Sequence, residues 1–412
     1  MNSRNLRKTT LSTAKLLPLL LLAGCGSTTT GTAPLTLTAS EQHNVSAQPA
    51  HLQPLLQKYY QEGARNEVLN RLEIGSAALY HGDLEQARLN FDSALVTIES
   101  TYANNENALQ ARSLWHEEGR KDFRGEPYER AMAYYYRGVI YLIDGEYDNA
   151  RASFVNALMQ DAFAEEEQNR SDFALMMFLA GWSAQKMGSP TLADDAWQEL
   201  KAYFPDFEIP DPAHNILVLA ETGASPRKLA DGVGHYQLVY RRGKNFTEQQ
   251  ISLSSGGVSL APQPIEDIYF QASSRGGRPV DAIIQGKAQF RTVNAEMGSV
   301  LADLGTATRV YSPLIGGSSG QVSNALALVG VAQLMLASNT VPRADTRYWK
   351  RLPDRVHLTS LQANAAQFQP QMPWQASYQD ADGNPVAIKP GVTHTFVGKD
   401  NNVIIWHKSR EL

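Results

Sequence analysis

Gly138-Val139-Ile140-Tyr141-Leu142-Ile143-Asp144-Gly145-Glu146-Tyr147-Asp148-Asn149-Ala150-Arg151-Ala152-Ser153-Phe154-Val155-Asn156-Ala157 is the stretch that decides the fold. Its apolar residues recur at helical spacing on both sides of Gly145, a residue able to take the left-handed conformation that a tight interhelical turn requires. Gly138 leaves room for a neighbouring helix to approach, and Ala150, Phe154 and Ala157 share one face of the helix that follows. Outward from this stretch the same register returns twice. Upstream it is Gly75, Gly82, Ala87, Phe91 and Ala94; downstream it is Gly181, Gly188, Ala193, Trp197 and Leu200, closed by Pro205. Three helical hairpins are therefore expected over residues 68–207.

These small and aromatic positions resemble those of the tetratricopeptide repeat. The alanines Ala87, Ala150 and Ala193 stand 63 and then 43 residues apart, against roughly 34 in a regular array, so an irregular α-solenoid is expected. The insert between the first two units contains Trp115 and Phe123-Arg124-Gly125-Glu126-Pro127-Tyr128-Glu129-Arg130, which predicts an ordered extra helix and loop. The resemblance implies a groove lined by the first helix of each unit. Its inner positions here are mostly apolar, with Tyr135, Phe178 and Trp182 as the candidate partner-binding groove, and they lack the lysine and asparagine clamp that some such proteins use for a terminal carboxylate. Two readings stay open: the aromatics hold an apolar peptide or helix, or they pack against the chain's own second half.

Past Pro205 the pattern changes to short β-like runs separated by Gly, Pro and Ser: 215–221, 235–241, 249–260, 281–293, 355–361 and 392–408, with helical stretches at 294–304 and 324–338. Val392, His394 and Phe396, then Val403, Ile405 and His407 around 398–402, predict a terminal hairpin. The expected fold class is α+β, with the helical domain at 51–210 and a mixed, strand-rich α+β domain at 211–412. Residues 310–342 contain no Asp, Glu, Lys, Arg or His; the expectation is a helix buried in the domain core rather than a bilayer span, which needs about 20 apolar residues.

Residues 1–24 carry Arg4, Arg7, Lys8 and Lys15, then an apolar run from Leu16 to Ala23. This is the pattern of a processing segment. Leu22-Ala23-Gly24-Cys25 resembles the bacterial lipobox, which implies cleavage before Cys25 and covalent lipid on that residue, the only cysteine of the chain. Gly26 stands where an aspartate would, by resemblance, signal inner-membrane retention, so an outer-membrane location facing the periplasm is expected. Residues 25–50, rich in Thr, Ser, Ala and Gln, are expected to form a flexible tether.

Composition narrows the chemistry. The chain has 412 residues, 43% of them hydrophobic, which is enough for a packed core. One cysteine excludes an intramolecular disulfide and a thiolate metal cluster. A formal charge of −5, from 37 basic and 42 acidic residues, disfavours a dedicated nucleic-acid binder. The nine histidines show no metal-ligand spacing, and no metal or cofactor other than the lipid is expected. Gly316-x-Ser318-x-Gly320 matches a hydrolase nucleophile elbow in form only, since no repeated βα pattern precedes it and Asp345 and His357 have no distinctive context. Asp380-Ala381-Asp382-Gly383-Asn384 reads as a β-turn because the bidentate glutamate of a calcium loop is missing downstream. Glu165-Glu166-Glu167 reads as a solvated face.

Phe123 to Tyr136, Glu221-Thr222-Gly223-Ala224-Ser225-Pro226, and Ala344-Asp345-Thr346-Arg347-Tyr348-Trp349 before Leu352-Pro353 resemble stretches of an uncharacterised group of Gram-negative envelope lipoproteins with tetratricopeptide-like helices. The resemblance implies an envelope factor that occurs beside other small lipoproteins and carries over no catalytic residues; with the lipid anchor and the contact area of a solenoid, the expected function is a non-catalytic scaffold or adaptor for a cell-envelope assembly, serving peptidoglycan synthesis, export or a surface appendage. Its expected partners are the membrane, through the lipid, and envelope proteins or other lipoproteins. The alternative is an envelope serine hydrolase using Ser318.

Overall fold

In a computed structural model, which describes residues 34–103, 122–162, 173–231, 237–273, 345–398 and 400–411, each repeated glycine meets its repeated aromatic. A Cβ built on Gly75 would lie 3.0 Å from Phe91, one on Gly138 2.5 Å from Phe154, and one on Gly181 2.7 Å from Trp197. These contacts join α3 (Glu67–Tyr80) to α4 (Leu84–Ala103), α5 (Pro127–Asp144) to α6 (Tyr147–Ala162), and α7 (Ala174–Lys186) to α8 (Pro190–Tyr203). Gly82, Gly145 and Gly188 turn the chain with φ of +78°, +77° and +72°, a conformation that a side chain would strain. Successive hairpins pack on one another, α4 on α5 and α6 on α7. Phe91 and Phe154 are fully buried between them, each burial worth roughly 2–3 kcal/mol.

Ahead of the hairpins lie α1 (Ala39–Ser46) and α2 (Gln53–Glu62). The stretch expected to be a tether through residue 50 is thus ordered from Leu35, whose N–H donates to the Gln61 carbonyl. Thr38 and Glu41 form a capping box that starts α1, which explains the single charge in an otherwise neutral run. Residues 104–121 of the expected insert lie outside the described residues; Glu126 and Glu129 form a second capping box, with Pro127 opening α5.

The strands among the described residues form three sheets. A five-stranded sheet has the order β10-β11-β1-β7-β6, a four-stranded sheet the order β5-β4-β8-β9, and β2 (Arg227–Asp231) pairs with β3 (Gln237–Arg241). In the first sheet, β1 (Ile216–Thr222) runs parallel to β11 (Val403–Lys408) and antiparallel to β7 (Arg355–Leu361); β10 (Val392–Val397) and β6 (Gln263–Asp267) flank them. The second contains β4 (Gln250–Ser255), β5 (Val258–Leu260), β8 (Gln375–Gln379) and β9 (Pro385–Val386). A short α9 (Ile268–Ser273) follows β6.

β1 and β11 are buried along their whole length, which is why both read as nearly continuous apolar runs. Their alternate residues serve two cores. Leu217, Leu219, Ile404 and Trp406 join the helical core, whereas Ile216, Val218, Val403 and Ile405 join the core of the four-stranded sheet. The central sheet is therefore a middle layer. The boundary expected at residue 210 marks a change of element type, not of packing: Leu35–Leu412 is one compact unit, because one face of the sheet completes the core of the hairpins. The expected runs at 281–293, 294–304 and 324–338 lie outside the described residues.

Candidate functional site

Tyr135 on α5 and Phe178 and Trp182 on α7, expected to line a partner-binding groove, are each at most 1% exposed. That expectation is corrected by what packs on them. Phe178 lies 5.4 Å from Trp197 and 5.8 Å from Phe207 between ring centroids, and Lys186 lies over Trp182. Tyr135 meets β1, where its hydroxyl donates to Glu221 Oε1 at 3.3 Å. The chain's own residues cover all three rings, the helical half closing over Phe178 and Trp182 and β1 of the second half meeting Tyr135, and the three rings are core.

Glu221 is the centre of a buried polar network. Its carboxylate accepts from the Tyr136 hydroxyl at 2.7 Å, Trp406 Nε1 at 3.0 Å and Lys408 Nζ at 2.6 Å. Neither Glu221 nor Lys408 is more than 5% exposed. Burial pushes the Lys408 ammonium below its ordinary range while the Glu221 carboxylate pulls it back. The Tyr135 and Tyr136 hydroxyls are driven well above theirs, by burial first and by Glu221 second. A saturated, buried carboxylate of this kind holds β1, β11 and α5 in one arrangement; it is closed to substrate.

The second cluster lies where three separate stretches of sequence converge. Residues 345–353 cross the first helices of two hairpins, and Trp349 inserts fully between them, with its ring 5.5 Å from Tyr136 and 6.2 Å from Phe91 and its Nε1 donating to Ser76 Oγ at 3.0 Å. Glu129 of α5 accepts the Trp349 N–H at 2.7 Å, and Glu73 of α3 accepts the Lys350 N–H at 2.8 Å and pairs with Arg351 at 3.2 Å. The Trp349 carbonyl accepts from Ser225 Oγ at 2.7 Å and the Arg347 carbonyl from Lys228 Nζ at 2.9 Å. Lys228 also pairs with Glu126 at 3.0 Å and Glu129 at 3.5 Å. Phe123 is flanked by Lys228 and Arg347, each 5.6 Å from its ring centroid, at a distance suited to cation–π attraction. Burial raises the Glu73 and Glu129 carboxyls, opposed by the backbone N–H groups and cations they meet. Chemically, the arrangement recognises a peptide backbone and an indole.

Of the catalytic elements suggested by sequence, Asp345 and His357 fall among the described residues. Ser318 and Cys25 lie outside them. His357 is fully buried, shares a 2.8 Å hydrogen bond with the Thr222 hydroxyl, and is pushed down to about 4 by burial and by Arg355. Asp345 is bound to the Arg347 guanidinium at 2.7 and 2.9 Å. Asp380 caps its own turn, accepting the Asp382 and Asn384 N–H groups at 2.9 Å. Among the described residues, no group of three or more His, Cys, Asp or Glu is placed to hold a metal ion, and no helix is long and apolar enough to cross a membrane. At the surface, Tyr203, Phe204, Ile265, Phe270 and Arg355 line an open depression of about 430 Å³ where α8 meets β6 and α9.

No family model, no curated protein and no solved structure matches the chain. Sequence reasoning marked the three stretches that carry Glu129, Glu221 and Trp349 without foreseeing that they touch, and it did not single out Glu73 or Lys408. The available sign was a glutamate at an inward helical position: Glu73 falls on the same apolar face as Leu69, Leu72 and Ser76, where a carboxylate needs a partner.

Proposed function

We propose that the chain is an outer-membrane-anchored lipoprotein facing the periplasm, acting as a non-catalytic scaffold or adaptor in a cell-envelope assembly, with a tetratricopeptide-like, irregular solenoid as its helical half. The observation that carries the reading is Leu22-Ala23-Gly24-Cys25, with the chain's only cysteine at the lipidation position, ten residues ahead of the compact unit that begins at Leu35. Lipid supplies membrane affinity through buried methylenes, roughly 0.8 kcal/mol each, and confinement at a surface raises the effective concentration of a scaffold near membrane partners. Stacked hairpins supply contact area without chemistry. Partners are envelope proteins or other lipoproteins, and they meet surfaces other than Tyr135, Phe178 and Trp182, which the chain itself covers.

Crosslinking in intact cells, native protein against Cys25→Ala, tests the reading. The expected result is a discrete partner set that is lost with the anchor. An identical partner set from both forms would remove the anchor from the mechanism. Recovery of none, with a control envelope complex captured, would remove the scaffold.

A further inference from the structure

Residues 345–353 are held as a ligand is held. They belong to no helix and pair with no strand; their backbone makes only a turn at Lys350 and Arg351, and the chain rejoins the sheet at the Asp354 N–H, which donates to the Thr222 carbonyl. Their N–H and carbonyl groups are met instead by side chains of the surrounding elements: Glu73, Glu129, Ser225 and Lys228. Only Trp349, Leu352 and Pro353 are buried, while Thr346 and Lys350 are exposed and the rest half-buried, so the segment lies along the surface on two deep anchors, Trp349 and Leu352, each fully buried. Basic side chains of the segment are met across the contact: Arg351 pairs with Glu73 at 3.2 Å, and Arg347, which also pairs with Asp345 inside the segment, donates to Asn66 Oδ1 at 2.7 Å, while Glu126 and Glu129 pair with Lys228 of β2.

An apolar seam cannot open without exposing its whole area to water. This one differs, because carboxylates and hydroxyls that lose a peptide partner regain hydration, which offsets part of the desolvation they suffered on closing. The indole pocket between Phe91, Tyr136 and Ser76 is the specific element, since a donor at Nε1 and a large ring are both required to fill it.

We propose that the cleft between α3 and α5 is a recognition site for a basic peptide with a central tryptophan, occupied in the closed protein by the chain's own Arg347–Arg351 segment and exchangeable for a partner peptide of the same chemistry. Self-occupancy lowers the apparent affinity for the partner by the fraction of molecules that are open. The proposal names the chemistry of a partner and stands whether or not the chain is anchored at a membrane.

The test uses the full chain and a fluorescein-labelled peptide with the sequence of residues 345–353, read by anisotropy. Trp349→Ala, which empties the indole pocket, is expected to bind the peptide at least about tenfold more tightly than the wild type. Binding should be lost when the peptide carries alanine for tryptophan, and weakened in Trp349→Ala combined with Glu129→Gln. Should Trp349→Ala fail to fold, Arg351→Ala, which removes the segment's ion pair with Glu73 and leaves the cleft's own residues unchanged, replaces it. Hydrogen exchange on the wild type gives an independent readout: the Trp349 and Lys350 amides should exchange at least about a hundredfold faster than those of Val218 and Leu219 in β1, through an opening that leaves the sheet intact. A folded variant that binds no peptide, or Trp349 and Lys350 amides that exchange only with the β1 core, would overturn the proposal.

Discussion

The helical half and the strand half are held together by opposite means. In the hairpins one contact is used three times: a glycine and an aromatic 16 residues later, at Gly75 and Phe91, Gly138 and Phe154, and Gly181 and Trp197. Partner and position are close in sequence, so shape alone suffices. In the central sheet, β1 pairs with a strand some 187 residues away, and at its end Glu221 and Lys408 meet as a buried ion pair. A buried pair is weak evidence for stability, but removing one member strands the other. The comparison suggests that long-range contacts here are fixed by groups that tolerate no other partner, and short-range ones by groups that merely fit.

The largest effect should come from breaking the ion pair. Glu221→Leu leaves the Lys408 ammonium buried and takes the acceptor from Tyr135, Tyr136 and Trp406; the expected loss is about 3–5 kcal/mol by chemical denaturation. Adding Lys408→Met should recover much of it, because two apolar groups leave no uncompensated charge. A double variant as unstable as the single would mean that the donors, not the pair, dominate. The next effect belongs to the hairpins. Gly138→Ala places a methyl 2.5 Å from the Phe154 ring, with an expected loss of about 1–3 kcal/mol from overpacking, offset in part by alanine's better helix propensity. Gly181→Ala and Gly75→Ala should cost progressively less, following their 2.7 and 3.0 Å approaches. Phe154→Leu should rescue Gly138→Ala specifically, a coupling that neighbours in contact show and distant sites do not.

The same contrast explains what could be read in advance. The three hairpins were legible because glycine, turn and aromatic recur within a span that a sequence window covers. β7 falls at the expected residues 355–361, and β10 and β11 pair as the expected terminal hairpin, with the Gly398 N–H donating to the Asn402 carbonyl at its end, since a hairpin is again a local object. Which strand lies beside β1 was not legible, because nothing in Ile216–Thr222 names a partner at either end of the chain. The groove was misjudged for a related reason: Tyr135, Phe178 and Trp182 look alike whether they face a guest or a core, and the strands and the tryptophan-bearing segment that cover the helices arrive from far along the chain. The tether was overextended because Thr38 and Glu41 reveal a helix start only as a pair, three residues apart in a run of neutral residues.

Acid offers the finest probe of the difference, since it acts on the sheet through neutral histidines. His407 is fully buried, bonded through Nε2 to the Tyr378 hydroxyl at 3.0 Å and through Nδ1 to the Thr393 hydroxyl at 2.7 Å. Burial pushes it down to about 3, with His357, His394 and Lys408 adding repulsion. In the unfolded chain a histidine takes its proton near pH 6.5. Between pH 6.5 and about 3 the unfolded state therefore holds one proton more, and stability falls as pH falls. Asp354, raised to about 6 by burial, and the raised carboxyls of Glu73 and Glu129 act in the opposite direction, so the wild-type slope is a balance. The His407→Gln variant isolates one contribution: its stability should fall by about 1 kcal/mol less than that of the wild type between pH 6.5 and 5.5, measured by urea denaturation at each pH. Equal slopes in the two proteins would mean that His407 is protonated in the folded sheet, and that acid does not distinguish the sheet from the hairpins through this residue.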